Sequence, residues 1–293
     1  MTLCIAATCH DSGIPETPQR IATNTAVVSW DTKVVHGFRT TDTGRKFLAL
    51  NDLWCAMIAG PLSEAKEVAF ACESAVSDVS TLTEGNLPGR IRRAVRRYVA
   101  NKFLSDHYGL TYDEFLTNGR ARLGDTLRKI FSSVRFLDPP EVQILFCGWL
   151  LDREAFIIAV YDHGFVRVEE SYAVIGSGKE TAELMLYLRS PRAFMSTDEA
   201  AYTVYEAQRI GANARDVGFN ANSLILEYDL RQHCIVTRNV KGPPKGFLDE
   251  FFKQQKPLPL PNGFRLESSA VDHPSTAQRL IKRRRIHRPK DTP

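Results

Sequence analysis

The sequence predicts an α+β fold in which β-sheets lie between layers of helices. Short apolar runs of strand length, rich in β-branched residues, occur near the start, in the middle and towards the end of the chain. Stretches with helical periodicity separate these groups. Strands and helices that alternate in groups favour sheets covered by helices over a parallel sheet built from βαβ units.

The first group of strands lies at the start of the sequence. Residues 2–9 and 25–30 are apolar runs on either side of a polar stretch, and they predict a hairpin with a long loop. Residues 46–50 and 53–59 predict two more strands, the second of which ends at a Gly-Pro pair.

Helical periodicity follows these strands. Apolar residues recur three and four positions apart from Ser63 to about residue 80, and Ser63 is the expected N-cap. A second helix follows Pro88, with an arginine-rich side that we interpret as a solvated face; the alternative is a surface for an acidic partner. The later elements are helical sequence to about 136, strands at 142–150, 155–161 and 165–168, helices at 178–189 and 196–213, and strands at 222–229 and 233–238.

We predict one domain over residues 1–240 and a C-terminal extension over residues 241–293. The extension is rich in Pro, Ser and charge, which predicts a largely disordered segment. Its basic run, Lys282 to Arg285, supplies the excess behind the formal charge of +4. No nucleic-acid-binding motif accompanies this run, so we do not expect the tail to bind nucleic acid.

The composition limits the possible chemistry. Hydrophobic residues make up 43% of the 293 residues and charged residues 25%, which is typical of a globular protein rather than a disordered one. The six cysteines form no CxxC pair and have no histidine at ligand spacing. We therefore expect no zinc site, no disulfide framework and no cofactor, and a cytoplasmic location. Neither a secretory leader nor a membrane-spanning run is visible.

Thr2 is the first candidate catalytic residue. Methionine aminopeptidase removes an initiator Met that precedes a small side chain, so Thr2 is expected to carry a free α-amino group. A threonine hydroxyl is a weak nucleophile, and an α-amine with a pKa of about 7.7–8.0 can act as its base within the same residue. The signal is weak on its own, because most threonines in this position have no catalytic role.

Asp31 and Lys46 are the next candidates. Asp31 ends one apolar strand, and Lys46 begins another. A lysine held by a carboxylate beside the nucleophile would favour the deprotonated amine and stabilise negative charge on the threonine oxygen. The alternative for either residue is a surface ion pair at the strand ends.

Ser177 lies in a Gly-Ser-Gly segment between a strand and a helix. The two glycines let backbone amides approach a ligand closely, and the Ser177 hydroxyl can hydrogen-bond a terminal amine. A glycine-rich helix start is the alternative interpretation.

Six short motifs share their order and their element context with one known family. They are Thr-x-x-Ile-Ala at 2–6, Asp31-Thr32-Lys33, Arg45-Lys46, Ala-Met-Ile-Ala-Gly at 56–60, Gly176-Ser177-Gly178, and Ala-Arg-Asp at 214–216. In these motifs the chain resembles the proteasome β-subunit family of N-terminal nucleophile (Ntn) hydrolases, including its bacterial relatives. The resemblance spans roughly residues 2–240.

The resemblance implies a four-layer αββα sandwich and a hydrolase that cleaves peptide or amide bonds through an acyl-enzyme. It implies that Thr2 is the nucleophile and that Asp31 and Lys46 tune it. Ser177 and Asp216 would complete the hydrogen-bond network around the amine.

The same resemblance implies the substrate site and the assembly. The Gly60 N–H would supply the oxyanion hole. Val34 and Ile58 would line a mostly apolar pocket, and Val35 would lie on the strand edge that pairs with a peptide or protein substrate. The expected assembly is a homo-oligomeric ring.

The chain departs from the family pattern after Asp216. The third and fourth following positions, normally Ser and Gly, are Phe219 and Asn220. The missing hydroxyl removes one partner of the amine, which predicts an activity that is reduced, altered in substrate or absent. Two alternatives therefore stay open: a non-catalytic assembly subunit and a small-molecule Ntn amidase.

Overall fold

A computed structural model of the chain describes residues 2–9, 25–36, 39–41, 45–150, 155–189, 195–213, 217–218, 220–229 and 232–240. Its strands are β1 (Leu3–Cys9), β2 (Thr25–Asp31), β3 (Val34–His36), β4 (Arg39–Thr41), β5 (Phe47–Ala49), β6 (Trp54–Ala59), β7 (Gln143–Trp149), β8 (Ala155–Tyr161), β9 (Phe165–Glu169), β10 (Tyr172–Gly176), β11 (Ala221–Asp229) and β12 (Cys234–Asn239). Its α-helices are α1 (Leu62–Ser77), α2 (Leu87–Tyr108), α3 (Tyr112–Leu123), α4 (Leu127–Arg135), α5 (Lys179–Arg189) and α6 (Thr197–Gly211). For residues 34–36, 39–41 and Val79, only the backbone is described.

The strands form two five-stranded sheets, both antiparallel. The first sheet has the order β10-β1-β2-β11-β12, and the second has the order β5-β6-β7-β8-β9. A short ribbon pairs β3 with β4. The predicted α+β class is confirmed, as is the pairing of the first two strands into a hairpin.

The two sheets pack against each other through an apolar core. Successive side chains of a strand point to opposite faces, so Cys4 on β1 and Trp30 on β2 point towards the second sheet. There they join Met57, Leu145 and Trp149, which come from β6 and β7. Every residue of β1 and β2 is buried, so both strands lie deep in the protein.

Helices cover the outer face of each sheet. On the first sheet, Leu3 and its outward-facing neighbours pack against Met185 of α5 and Val204 of α6. On the second sheet, Ile58 packs with Val68 of α1 and with other residues of α1 and α2. A smaller apolar cluster joins the end of α2 to α3 and α4.

The first helix begins earlier than its sequence suggests. Pro61 occupies the N-cap position of α1, and no side chain caps the helix. The prediction that Ser63 is the N-cap is therefore wrong, because the helical turn already includes Leu62 and Ser63. By contrast, Thr111 and Ser196 cap α3 and α6 through reciprocal capping boxes.

None of the described helices is both long enough and apolar enough to cross a membrane. The predicted extension over residues 241–293 lies outside the described residues.

Candidate active site

Antiparallel pairing brings two strand ends to Thr2, the residue that precedes β1. Leu3 pairs with Gly176 of β10, and Cys4 pairs with the residue before Asp31 on β2. The start of β1 therefore lies beside the last residue of β2 and the last residue of β10. Thr2 itself is 5% exposed.

Asp31 accepts hydrogen bonds from three different segments of the chain. Its Oδ1 lies 2.7 Å from the Leu3 backbone nitrogen and 2.9 Å from Lys46 Nζ. Its Oδ2 accepts from the Gly218 backbone nitrogen at 3.3 Å. The carboxylate is fully buried, so these donors take the place of water around its charge.

Lys46 reaches this carboxylate from the second sheet. It precedes β5, and its carbonyl oxygen accepts a hydrogen bond from Ile58 of the neighbouring β6 at 3.0 Å. Its side chain is 3% exposed, and that of Asp31 is 0% exposed. The interpretation of the two residues as a surface ion pair is therefore wrong, because both side chains are buried.

Ser177 lies on the other side of Thr2. Its hydroxyl oxygen accepts from the Thr2 backbone nitrogen at 3.3 Å and is 3.4 Å from the Thr2 carbonyl oxygen, to which it can donate. The preceding residue, Gly176, has a φ of +97°, and a Cβ at that position would lie 2.0 Å from the Thr2 carbonyl oxygen. Only glycine therefore permits this close approach.

The predicted substrate-binding residues occupy the second sheet and the β3 ribbon. Gly60 follows β6 with a φ of +98°, and a Cβ there would lie 2.8 Å from the Glu141 carbonyl oxygen. Ile58 is 1% exposed and packs in the core beneath α1 and α2. Val34 and Val35 begin β3, but their side chains are not among those described. The oxyanion and pocket roles of these four residues stay predictions.

Asp216 and Phe219, which carry the last motif and the departure from it, lie outside the described residues. The neighbouring Asn220 is described and exposed. Its carbonyl oxygen accepts from the backbone nitrogen of Thr32 at 3.0 Å and from the Thr32 hydroxyl at 3.2 Å. These two bonds tie the chain that follows Gly218 to the end of β2.

Cys4 is a neighbour of the ion pair that sequence reasoning did not select. Its thiol contacts the Ile58 carbonyl oxygen at 3.7 Å. Burial raises the pKa of the Cys4 thiol above its usual value; the Asp31 carboxylate raises it further, and the Lys46 ammonium opposes the shift. The thiol is therefore neutral near pH 7. Alternation along β1 predicts that the Cys4 side chain points between the two sheets, and this pattern could have identified the residue from the sequence.

The backbone amide of Gly218 and the side chain of Gln143 were also missed. Gln143 begins β7, and its side-chain oxygen accepts from the Gly176 backbone nitrogen at 2.8 Å. Neither contact has a sequence signal, because each joins segments that are far apart in the chain. Within the described part of the chain, no group of three or more His, Cys, Asp or Glu side chains could hold a metal ion.

The site thus combines a hydroxyl residue at the start of a strand with a buried carboxylate, a buried ammonium and a serine hydroxyl. Such a set can hold a proton acceptor and stabilise negative charge beside the buried side chains of Asp31 and Lys46. Comparisons with models of protein families and with curated proteins give no match to this chain.

Proposed function

We propose that the chain is an N-terminal threonine hydrolase of the proteasome β-subunit type, which cleaves peptide or amide bonds through an acyl-enzyme on Thr2. One observation carries the proposal. The Asp31 carboxylate accepts both from the Leu3 amide, next to Thr2, and from the Lys46 ammonium, and both charges are buried. Burying two charges costs several kcal/mol for each ion. A buried pair of this kind next to Thr2 is the sort of arrangement that functional sites maintain.

The packing of the sheets supports the architecture that this family would have. The two antiparallel sheets share one core, α5 and α6 lie on the first sheet, and α1 and α2 lie on the second. We take this arrangement to be the four-layer αββα sandwich of the Ntn hydrolases. The proposed assembly is a homo-oligomeric ring, and the proposed location is the cytoplasm, where the free thiols of all six cysteines would stay reduced.

The proposed reaction begins after cleavage of the Met1–Thr2 bond. The backbone nitrogen of Thr2, 3.3 Å from the Ser177 hydroxyl, then becomes a free α-amine. This amine takes the proton of the Thr2 hydroxyl as the oxygen attacks the substrate carbonyl. The carbonyl π electrons move onto its oxygen, which becomes an oxyanion.

The second half of the reaction returns the enzyme to its starting state. The protonated amine gives its proton to the leaving nitrogen as the C–N bond breaks, which leaves an ester on Thr2. Water then attacks this ester with the same amine as base. The acid product departs, and the Thr2 hydroxyl regains its proton.

Each surrounding residue has a distinct role in this proposal. The Lys46 ammonium favours the neutral form of the amine and stabilises negative charge on the attacking oxygen. Asp31 orients Lys46. Ser177 hydrogen-bonds the amine, a role that it shares with Asp216, and the Gly60 N–H faces the oxyanion.

A non-catalytic assembly subunit is the second candidate, and the burial of Thr2 favours it. A residue that is 5% exposed offers a substrate little surface. The hydrolase requires cleavage before Thr2, because the free amine of the mechanism exists only once the Met1–Thr2 bond has been cut.

Hydrolysis of short fluorogenic peptide amides with a large apolar residue before the cleaved bond tests the proposal. We expect the wild-type chain and Thr2→Ser to release the fluorophore and Thr2→Ala to release none. Equal activity of wild type and Thr2→Ala would contradict the assignment of the nucleophile. Absence of hydrolysis in all three, over a panel that includes small acyl amides, would support the assembly subunit.

A further inference from the structure

Gln143, a side chain that the proposed mechanism does not use, connects the two sheets beside Ser177. Its Oε1 accepts from the Gly176 backbone nitrogen at 2.8 Å. Its Nε2 donates to Asp162 Oδ2 at 2.7 Å. A backbone N–H can only donate and a carboxylate can only accept, so these two partners fix which way the Gln143 amide faces.

The backbone around Gln143 also supports the turn that contains Gly60. Gln143 pairs with Ala59 in the β6–β7 ladder. A Cβ on Gly60 would lie 2.8 Å from the Glu141 carbonyl oxygen and 3.3 Å from the Val142 Cα. The segment 141–143 therefore contacts the Gly60 turn through its backbone and the Gly176 amide through the Gln143 side chain.

The position of Gly176 determines the position of Ser177. Gly176 lies so close to Thr2 that a Cβ would overlap the Thr2 carbonyl oxygen. The contacts between Ser177 and Thr2, at 3.3 and 3.4 Å, are near the upper limit for hydrogen bonds. A small shift of Gly176 away from Thr2 would therefore break them.

We propose that Gln143 is a positioning residue that holds the Gly176–Ser177 segment against Thr2, and that Asp162 orients the Gln143 amide for this purpose. The inference rests on the proposed function of Thr2. Gln143 would act through Ser177 on the Thr2 amine rather than on the substrate. Its loss should therefore lower kcat, by roughly tenfold, and leave KM nearly unchanged.

Three variants separate this role from a general effect on folding. Gln143→Leu removes both hydrogen bonds with little change in size. Gln143→Glu keeps the acceptor for Gly176 but places a carboxylate against Asp162. In the double variant Gln143→Glu/Asp162→Asn, an amide donor again faces the acceptor at position 143. Asp162→Asn alone keeps an oxygen that can accept from Gln143 Nε2 and removes only the charge, so it is the matched control for the double variant.

Two measurements on the full chain test the proposal: hydrogen exchange of the Gly176 amide, and kcat and KM for a peptide amide. We expect Gln143→Leu and Gln143→Glu to speed Gly176 exchange and to lower kcat roughly tenfold. The double variant should recover kcat to within about twofold of wild type, and Asp162→Asn alone should stay within about twofold.

The outcomes are distinguishable. Unchanged Gly176 exchange in Gln143→Leu would overturn the hydrogen-bond link. Faster exchange with unchanged kcat would overturn the positioning role. A double variant that stays as slow as Gln143→Glu would overturn the role given to Asp162. Absence of hydrolysis in the wild-type chain would instead overturn the proposed function, whatever the exchange rates.

Discussion

Lys46 Nζ lies 2.9 Å from Asp31 Oδ1, and the two side chains, 3% and 0% exposed, form a buried ion pair that links the end of a strand in one sheet to the start of a strand in the other. The pair joins Lys46, the residue before β5, to Asp31, the last residue of β2. The same oxygen of Asp31, Oδ1, accepts from the Leu3 backbone nitrogen. The carboxylate therefore anchors the backbone next to Thr2. A charge pair at this depth affects the stability of the protein, and the proposed mechanism also gives it a chemical role; mutation can separate the two.

Lys46→Met should destabilise the protein by about 3–5 kcal/mol, because it leaves the Asp31 carboxylate buried without its ionic partner. Asp31→Asn in the same chain should recover much of this loss, since no unpaired charge remains. Hydrolysis should stay absent in both variants. Urea unfolding measures the free energy of unfolding of each variant, and a peptide-amide assay measures hydrolysis.

The exposed pair Lys102–Glu64 provides the control, because its side chains are 46% and 29% exposed. Lys102→Met should cost no more than about 1 kcal/mol and leave hydrolysis intact. For the buried pair, recovery of activity in the double variant Lys46→Met/Asp31→Asn would contradict the role assigned to Lys46.

Ser177→Ala should lower the rate of hydrolysis by roughly tenfold to a hundredfold, since the Thr2 amine loses a hydrogen-bond partner. Ser177 is exposed, so the free energy of unfolding should change by less than about 1 kcal/mol. Ser133→Ala on α4, which removes another exposed hydroxyl, serves as the control for both measurements. An unchanged rate in Ser177→Ala would remove this residue from the site.

Gly176→Ala should be the most damaging single methyl addition near Thr2. The backbone has a φ of +97°, and the new Cβ would lie 2.0 Å from the Thr2 carbonyl oxygen. Strain and overlap together should cost more than about 2 kcal/mol, measured as the shift in the unfolding transition. Gly85→Ala, where nothing lies within 4 Å, should stay within about 1 kcal/mol of wild type. Equal stability of the two variants would contradict the described approach of Gly176 to Thr2.

The stability of the protein should fall with rising pH above about pH 9, and Cys72 should contribute to this fall. Burial raises the pKa of the Cys72 thiol from 9.0 to about 12. Between these values the unfolded chain loses this proton and the folded chain keeps it, so the stabilisation present below pH 9 is lost as the pH rises towards 12.

Cys72→Ala should reduce the slope of stability against pH in this window, to which one thiol can contribute up to about 1.4 kcal/mol per pH unit. Unfolding midpoints between pH 8 and about 11 measure the slope, with Ser74→Ala on the exposed side of α1 as the control. Identical slopes in the wild type and Cys72→Ala would contradict the burial of this thiol.

Long, strongly patterned elements could be predicted from the sequence. The strand expected at 155–161 is β8, Ala155–Tyr161, because the apolar run has the length of a strand, is short for a helix and ends at turn residues. The ribbon of β3 and β4 was missed, since strands of three residues are too short to show alternation. The start of α1 was misplaced because Pro61 begins the helix without a capping side chain.

The candidate site was predictable only as a set of residue types. Asp31 and Lys46 were expected to pair, but their depth was not, because it depends on how β2 and β5 pack across the two sheets. The Gly218 amide and the Gln143 side chain were missed for the same reason. Each reaches its partner from a segment more than thirty positions away, and no local pattern encodes such a contact.

The most direct test of the account is the intact mass of the purified chain before and after reaction with a peptide epoxyketone, which reacts with both the hydroxyl and the free α-amine of an N-terminal threonine. We predict a chain that lacks Met1 and gains one adduct on Thr2, and no adduct in Thr2→Ala. A chain that keeps Met1 and gains no adduct would contradict the assignment of Thr2 as nucleophile and base.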